Sequence, residues 1–334
     1  MNAEFKPTQI EAVLKLGFPI PSPVFSLRTI AQLFGSTKSR CGIYLLEFSD
    51  RTFYIGQAVD VVRRFVQHRG KYSNITGFSF IPTKRALLDE IEVALIRAAE
   101  LLSLTLLNTV YASNVVGDTD LDFIVSPQKQ EAWLSASGNV EVANDLEPLV
   151  LPVAQTGRFA NNFQRFKAHP KANAALEFLR LFVSVCVPLP RRTEYSFWVV
   201  SCLPSTNRGS WPRLGCISAG VMELFVVGHD LVKPKEMWGF VNVASDVLVE
   251  LAGGLDLFAS THPMIEMVER NYRDAGQHQI SLHAPDESSL RLLLGNHMVC
   301  KAAGVLALRV MRKRATIYGK FHCKQLADAI LSLV

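Results

Sequence analysis

Five side chains in the first third of this sequence have types and spacings that invite a chemical reading. Tyr44 and Tyr54 stand ten residues apart, each inside a short run of strand-favouring residues, GIYLLEF (42–48) and TFYIGQ (52–57). Arg64 follows ten residues after Tyr54, and His68 four residues after that. Residues four apart on a helix share a face, so Arg64 and His68 point together if this stretch is helical. Glu92 lies in KRALLDEIEVALIRAAELLSL (84–104), with Leu88 four residues before it and Leu95 and Ile96 three and four after. A carboxylate at the edge of an apolar stripe pays a desolvation penalty unless it is paired or holds a metal. Two phenols, a guanidinium and an imidazole on one small sheet and one helix, with that carboxylate nearby, can hold an anion and move protons.

The elements that must position these groups can be read from pattern. The two strand-like runs are separated by the polar turn Ser49-Asp50-Arg51, so a hairpin is predicted. Asp60 is a good N-cap for a helix running to about Arg69, on which Val61 and Phe65 cover a different face from Arg64 and His68. A third strand is predicted near FSFIP (78–82). Residues 84–104 form an amphipathic helix, with Leu88, Ile91, Leu95, Ala98 and Leu102 at helical spacing. Residues 1–40 read as one or two short helices, TQIEAVLKLGF and LRTIAQLFG, around a Pro-rich turn. After Asn108 the texture changes: 114–160 is rich in Asp, Asn, Gly and Pro and reads as a boundary with linking elements. Apolar runs from about Phe163 to Leu251 read as strands bracketed by helices, and the last fifty residues as helices. The resulting parse is an N-terminal helical extension (1–40), a first domain (41–115) and a larger C-terminal α+β domain (116–334).

Bulk properties bound the function. With 334 residues, 49% of them hydrophobic and 19% charged, the chain can bury a sizeable core and is not a disordered sequence. No apolar run reaches the ~20 residues that cross a bilayer, and the start lacks the pattern of a secretory signal; a cytoplasmic protein with no membrane partner is expected. Six dispersed cysteines without a Cys-x-x-Cys pair fit reduced, buried thiols. The net charge of +5 is uneven: +4 over 1–115, −5 over 116–300 and +6 over 301–334. Basic ends suit a polyanion partner without proving one.

The segments CGIYLLEF, TFYIGQAVDVVRRFVQH and DEIEVALIRAAELLSLTLLN, residues 41–108, resemble the GIY-YIG nuclease superfamily, which includes homing endonucleases, certain restriction enzymes and the incision module of bacterial excision repair. The resemblance covers about a fifth of the chain. It implies a small three-stranded antiparallel sheet flanked by helices and one divalent metal in a shallow cleft. By position, Tyr44 and Tyr54 match the two motif tyrosines, Arg64 the motif arginine and His68 the histidine found in part of the family. Glu92 matches the metal-binding glutamate and Asn108 the asparagine that braces the site, although its spacing from Glu92 is longer than in the repair enzymes.

What the resemblance implies is phosphodiester hydrolysis, with DNA the expected substrate. Mg²⁺ held by Glu92, or Mn²⁺ in its place, neutralises charge on the phosphoryl and leaving oxygens. Arg64 forms charge-assisted hydrogen bonds to the phosphate. Tyr44 orients or deprotonates the attacking water, assisted by His68 and positioned by Tyr54. Arg63, Arg69, Lys71, Lys84 and Arg85 form a basic surface for backbone phosphates. Each assignment has a plainer counterpart: Glu92 as a salt-bridged boundary residue, Tyr54 as a packed sheet residue, the basic cluster as a solvated helix face. Arg309, Arg312, Lys313, Arg314 and Lys320 offer a second basic run, interleaved with Tyr318 and Phe321. His297, Cys300, His322 and Cys323 fit no zinc spacing and read as packing residues. The C-terminal domain resembles no known family; its hydrophobic content suggests an oligomer interface, with a homo-oligomer expected, or a sensor pocket. A restriction or anti-phage endonuclease regulated by that domain is the expected function. The competing expectation is a non-catalytic nucleic-acid-binding or assembly protein on the same scaffold.

Overall fold

The structure, a computed structural model, describes residues 8–35, 39–108, 119–135, 157–206, 208–232, 236–269, 272 and 275–332. The fold class is α+β, with two separate antiparallel sheets. The chain divides into two compact units, Met1–Gly117 and Asp118–Val334. The expected end of the first domain at 115 and much of the expected linking stretch, 136–156, lie outside the described residues.

In the first unit, β2 (Gly42–Phe48) and β3 (Phe53–Ala58) form the hairpin, and β4 (Ile75–Pro82) pairs with the other edge of β2. The sheet is not three-stranded as expected. A two-residue strand, β1 (Ser22–Pro23), adds to the far edge of β4, giving the order β1-β4-β2-β3. Strands this short carry no alternation to read, and a proline within one is tolerated because β1 lies at an edge. Among the described residues before β2 one α-helix forms, α1 (Gln9–Lys15); LRTIAQLFG yields a 3₁₀ turn at Ala31–Leu33. Thr8 and Glu11 make a reciprocal capping box at the start of α1.

The pleat sorts the sheet's side chains into two cores. Ile43, Leu45, Phe53 and Ile55 face one way, buried with Ala12 and Val13 of α1 and Leu88, Ile96 and Ala99 of α3 (Leu88–Leu101). Tyr44, Leu46, Phe48 and Phe78 face the other way, buried with Val61 and Phe65 of α2 (Val61–Lys71). Residues 8–35 thus belong to this body: α1 packs in the first core, and Val24 and Ile30 in the second. The Asp60 carboxylate caps α2 by accepting from the backbone N–H groups of Val62 and Arg63. Two glycines are imposed by close approach. A Cβ on Gly56 would sit 2.5 Å from the Tyr44 hydroxyl, and one on Gly42 would collide with the Ile81 carbonyl and the Phe80 ring.

The second unit is a six-stranded sheet, β5 (Trp198–Cys202), β6 (Arg213–Ala219), β7 (Met222–His229), β8 (Met237–Val243), then β10 (Ile280–Ala284) and β9 (Glu266–Val268) in spatial order. Long apolar helices at Ala172–Cys186 and His297–Lys313 share one core with it. The run ALEFLRLFVSVC is therefore helical, its Phe178, Leu179, Phe182 and Val183 recurring on one buried face. Gln130, in the helix Pro127–Ser135, is buried and donates to Asp122. Among the described residues no single helix is long and apolar enough to cross a membrane.

Candidate active site

The fold brings Tyr44, Tyr54, Arg64 and His68 to one face of the first sheet. Tyr44 lies on the central strand and points toward α2, because the alternation that buries Ile43 and Leu45 against α3 turns it the other way. Its hydroxyl is 2.7 Å from His68 Nε2 and 3.4 Å from Arg64 Nε. The Tyr44 and Tyr54 rings stack with centroids 6.1 Å apart, and Tyr54 lies 4.9 Å from the His68 ring. Arg64 itself is exposed, its Nη1 donating to Gln67.

Electrostatics fixes the proton positions in this cluster. Burial, reinforced by the charges of Arg64 and Lys71, lowers His68 to about 4, so its imidazole is neutral at ordinary pH. Burial pushes the Tyr44 phenol well above its usual value, with the neighbouring Tyr54 adding to the shift and Arg64 opposing it. Tyr54 is raised as well, first by burial and then by the charge of Glu92. The guanidinium only donates, so the phenol oxygen accepts from Arg64, and in the tautomer that leaves Nε2 unprotonated its hydrogen goes to the imidazole. Tyr44 therefore donates to His68 Nε2 and accepts from Arg64.

Glu92 is buried on α3. The Gln57 amide, immediately after Tyr54-Ile55-Gly56, donates to Glu92 Oε2 at 2.9 Å and also to Asp89 Oδ1. Gln57 escaped the motif reading, although its alternation with Ile55 placed it on the α3 face. Asn108 is buried and grips the backbone of Ile55 from both sides: its Oδ1 accepts from the N–H at 3.0 Å and its Nδ2 donates to the carbonyl at 2.6 Å. It thus supplies the pairing that a further strand would give the edge strand β3.

The donor set at Glu92 consists of carboxylate oxygens, and among the described residues no group of three or more His, Cys, Asp or Glu side chains is gathered. One carboxylate with the rest of the shell left to water and substrate oxygen is the manner in which Mg²⁺ binds. The residues present fit that ion.

The basic surface needs one correction. Arg69 is not placed for phosphate: its guanidinium donates to the carbonyls of Val24, Phe25, Leu27, Ser73 and Ile75, tying the β1 segment to the chain after α2. Those acceptors come from a segment whose path the sequence did not reveal. Arg63, Lys71, Lys84 and Arg85 are exposed, Lys71 over the Tyr72 ring at 5.0 Å. The second basic run is also largely engaged within its own unit. Arg309 makes a two-pronged pair with Asp246, and Arg312 donates to Gln130. His322 accepts from the Val200 N–H and bonds Glu194, while the Cys300 thiol bonds the Leu294 carbonyl.

No protein-family model, curated protein or solved structure matches this chain. The functional reading therefore rests on the motif residues and on their geometry.

Proposed function

We propose that the unit Met1–Gly117 is a Mg²⁺-dependent GIY-YIG endonuclease that hydrolyses phosphodiester bonds in nucleic acid, with DNA the favoured substrate. The observation that carries the reading is the Tyr44 hydroxyl bridging a neutral His68 and the exposed Arg64, with the Glu92 carboxylate close enough to raise both phenols.

In this reading Arg64 binds and aligns the scissile phosphate by charge-assisted hydrogen bonds and stabilises the charge that grows on it. Glu92 would hold a divalent cation, which when bound would supply further positive charge to the phosphoryl and leaving oxygens. Tyr44 takes a proton from the attacking water as its own proton passes to His68 Nε2. The water oxygen bonds to phosphorus while the bond to the leaving sugar oxygen breaks, and that oxygen collects a proton from solvent. Burial keeps His68 unprotonated, reinforced by the charges of Arg64 and Lys71; an anionic phosphate beside Arg64 offsets that second part, so substrate binding makes the imidazole a better acceptor. Gln57 and Asn108 position: one holds Glu92, the other fixes the strand carrying Tyr54. The unit Asp118–Val334 is assigned the choice of target, assembly or activation, as in a restriction or anti-phage enzyme.

Incubation of the full chain with supercoiled plasmid, single-stranded DNA and RNA, in Mg²⁺ or in EDTA, tests the reading. Cleavage of at least one substrate in Mg²⁺ and none in EDTA is expected. Binding without cleavage of any of the three would replace it by a nucleic-acid-binding or assembly role.

A further inference from the structure

Beside the candidate site, on the same side of the sheet, lies a recess of about 430 Å³ lined by Ile20, Leu33, Phe34, Phe78 and Phe80 together with two prolines and three serines. None of these lining residues is charged. Phe80 stands directly opposite Tyr44 in the β2–β4 pairing, so the two side chains are neighbours on one face. The Phe80 wall of the recess is therefore one strand spacing, ~4.8 Å, from Tyr44.

Three features decide what fits there. The walls are aromatic and apolar: Phe34 meets Phe80 edge-on at 5.2 Å, and Phe78 and Phe80 are parallel at 6.4 Å. None of the described lining residues offers a cation to a phosphate, whereas a flat aromatic group with a weakly polar rim is well matched. Finally, β1 pairs with β4 at Gly77 and Phe78, and from Ser79 to Pro82 the outer edge of β4 has no strand partner among the described residues. Backbone polar groups on such an edge are available to the rim of a ring. Ile20, 68% exposed, stands at the mouth.

We infer that this recess receives the base of the nucleotide next to the scissile phosphate, rotated out of its stack. The inference rests on the nuclease reading and narrows its substrate class. A base held in a recess cannot also be paired and stacked in a duplex, so the preferred substrate is single-stranded or locally unpaired nucleic acid. Phe80 is the residue that contacts the base, and Arg64 holds the adjoining phosphate.

The test is cleavage of a set of single-stranded oligonucleotides, each carrying one abasic position near the cut, by the full chain in Mg²⁺. For wild type, one position adjacent to the cut is expected to lower cleavage by about tenfold or more when its base is missing, the scale of one lost stacking contact. In Phe80→Leu, which keeps apolar volume, and in Ile20→Ser, at the exposed mouth, that penalty shrinks toward none, because the intact oligonucleotide has lost the same contact. Cleavage with no sensitive position, or with a penalty unchanged in both variants, overturns the base-binding recess and leaves the nuclease standing. Absence of cleavage of every oligonucleotide and of plasmid overturns the nuclease reading and the recess with it.

Discussion

Each unit of this protein buries a histidine beside an acidic or phenolic partner, and the two clusters are built to opposite ends. In the first unit, His68 meets a phenol that also touches an exposed arginine. In the second, His322 is wholly enclosed. Its Nδ1 accepts from the Val200 N–H at 3.3 Å, its Nε2 bonds Glu194 at 3.1 Å, and Lys324, also buried, lies 3.8 Å from the same carboxylate. Similar side chains thus serve differently. The first cluster ends at a guanidinium open to an anion, whereas the second closes its hydrogen bonds internally and stitches β5 to the chain before the last helix. The difference lies one residue out: His68's buried partner Tyr44 accepts from the exposed Arg64, whereas His322's buried partner Glu194 is approached by the buried Lys324.

The sharpest way to break this comparison is Glu194→Ala. It leaves the buried His322 without its carboxylate, while Lys324 keeps its bond to Asp328, and a loss of about 3 kcal/mol in urea unfolding is expected. Cleavage below the new unfolding transition should persist, and its loss there would give the second cluster a catalytic part. Next comes Arg64→Ala, for which kcat should fall about 10²–10³-fold with folding unchanged. Arg64→Lys should recover little of it, since an ammonium lacks the planar fork that reaches both Tyr44 and an anion.

A smaller effect lies in pH. Folded His68 resists protonation down to about 4 against an ordinary value of 6.5, so between those values the unfolded chain holds more protons. The contribution is stabilising above the unfolded value and is lost as pH falls from 6.5 toward 4. Wild type should lose thermal stability across that window more steeply than His68→Gln, and identical slopes would remove the claim that His68 is held neutral. The smallest change is expected from Arg63→Ala, which should weaken nucleic-acid binding alike for all sequences and lower the salt-dependence slope by about one. Arg69→Ala should instead leave that slope alone and lower thermal stability, because its acceptors are backbone carbonyls.

How much was legible follows from how local each determinant is. Tyr44, Tyr54, Arg64 and His68 could be placed on one face because strand alternation and helical spacing act over a few residues, and the fold sets them side by side. Asp60 announced its helix in the same local way. The two-residue strand β1 and the 3₁₀ turn at Ala31–Leu33 have no period to detect, and misplacing them hid the carbonyls that claim Arg69. Gln57 carries no local signal, because its partners, Asp89 and Glu92, lie more than thirty residues away. In the second unit the helix Ala172–Cys186 holds four β-branched or aromatic residues against eight of Ala, Leu, Glu and Arg, so its helical propensity and its one buried face agree, and the strand expectation gave too much weight to its few β-branched and aromatic positions.

The measurement that bears most directly on the account is cleavage by Glu92→Gln in Mg²⁺, set beside wild type on the substrate that wild type cuts best. Glutamine keeps the shape and can still bond Gln57, but it removes the charge that would hold the cation. The account predicts a folded protein, with unchanged circular dichroism, that binds nucleic acid and does not cut it. Cleavage at the wild-type rate would contradict it.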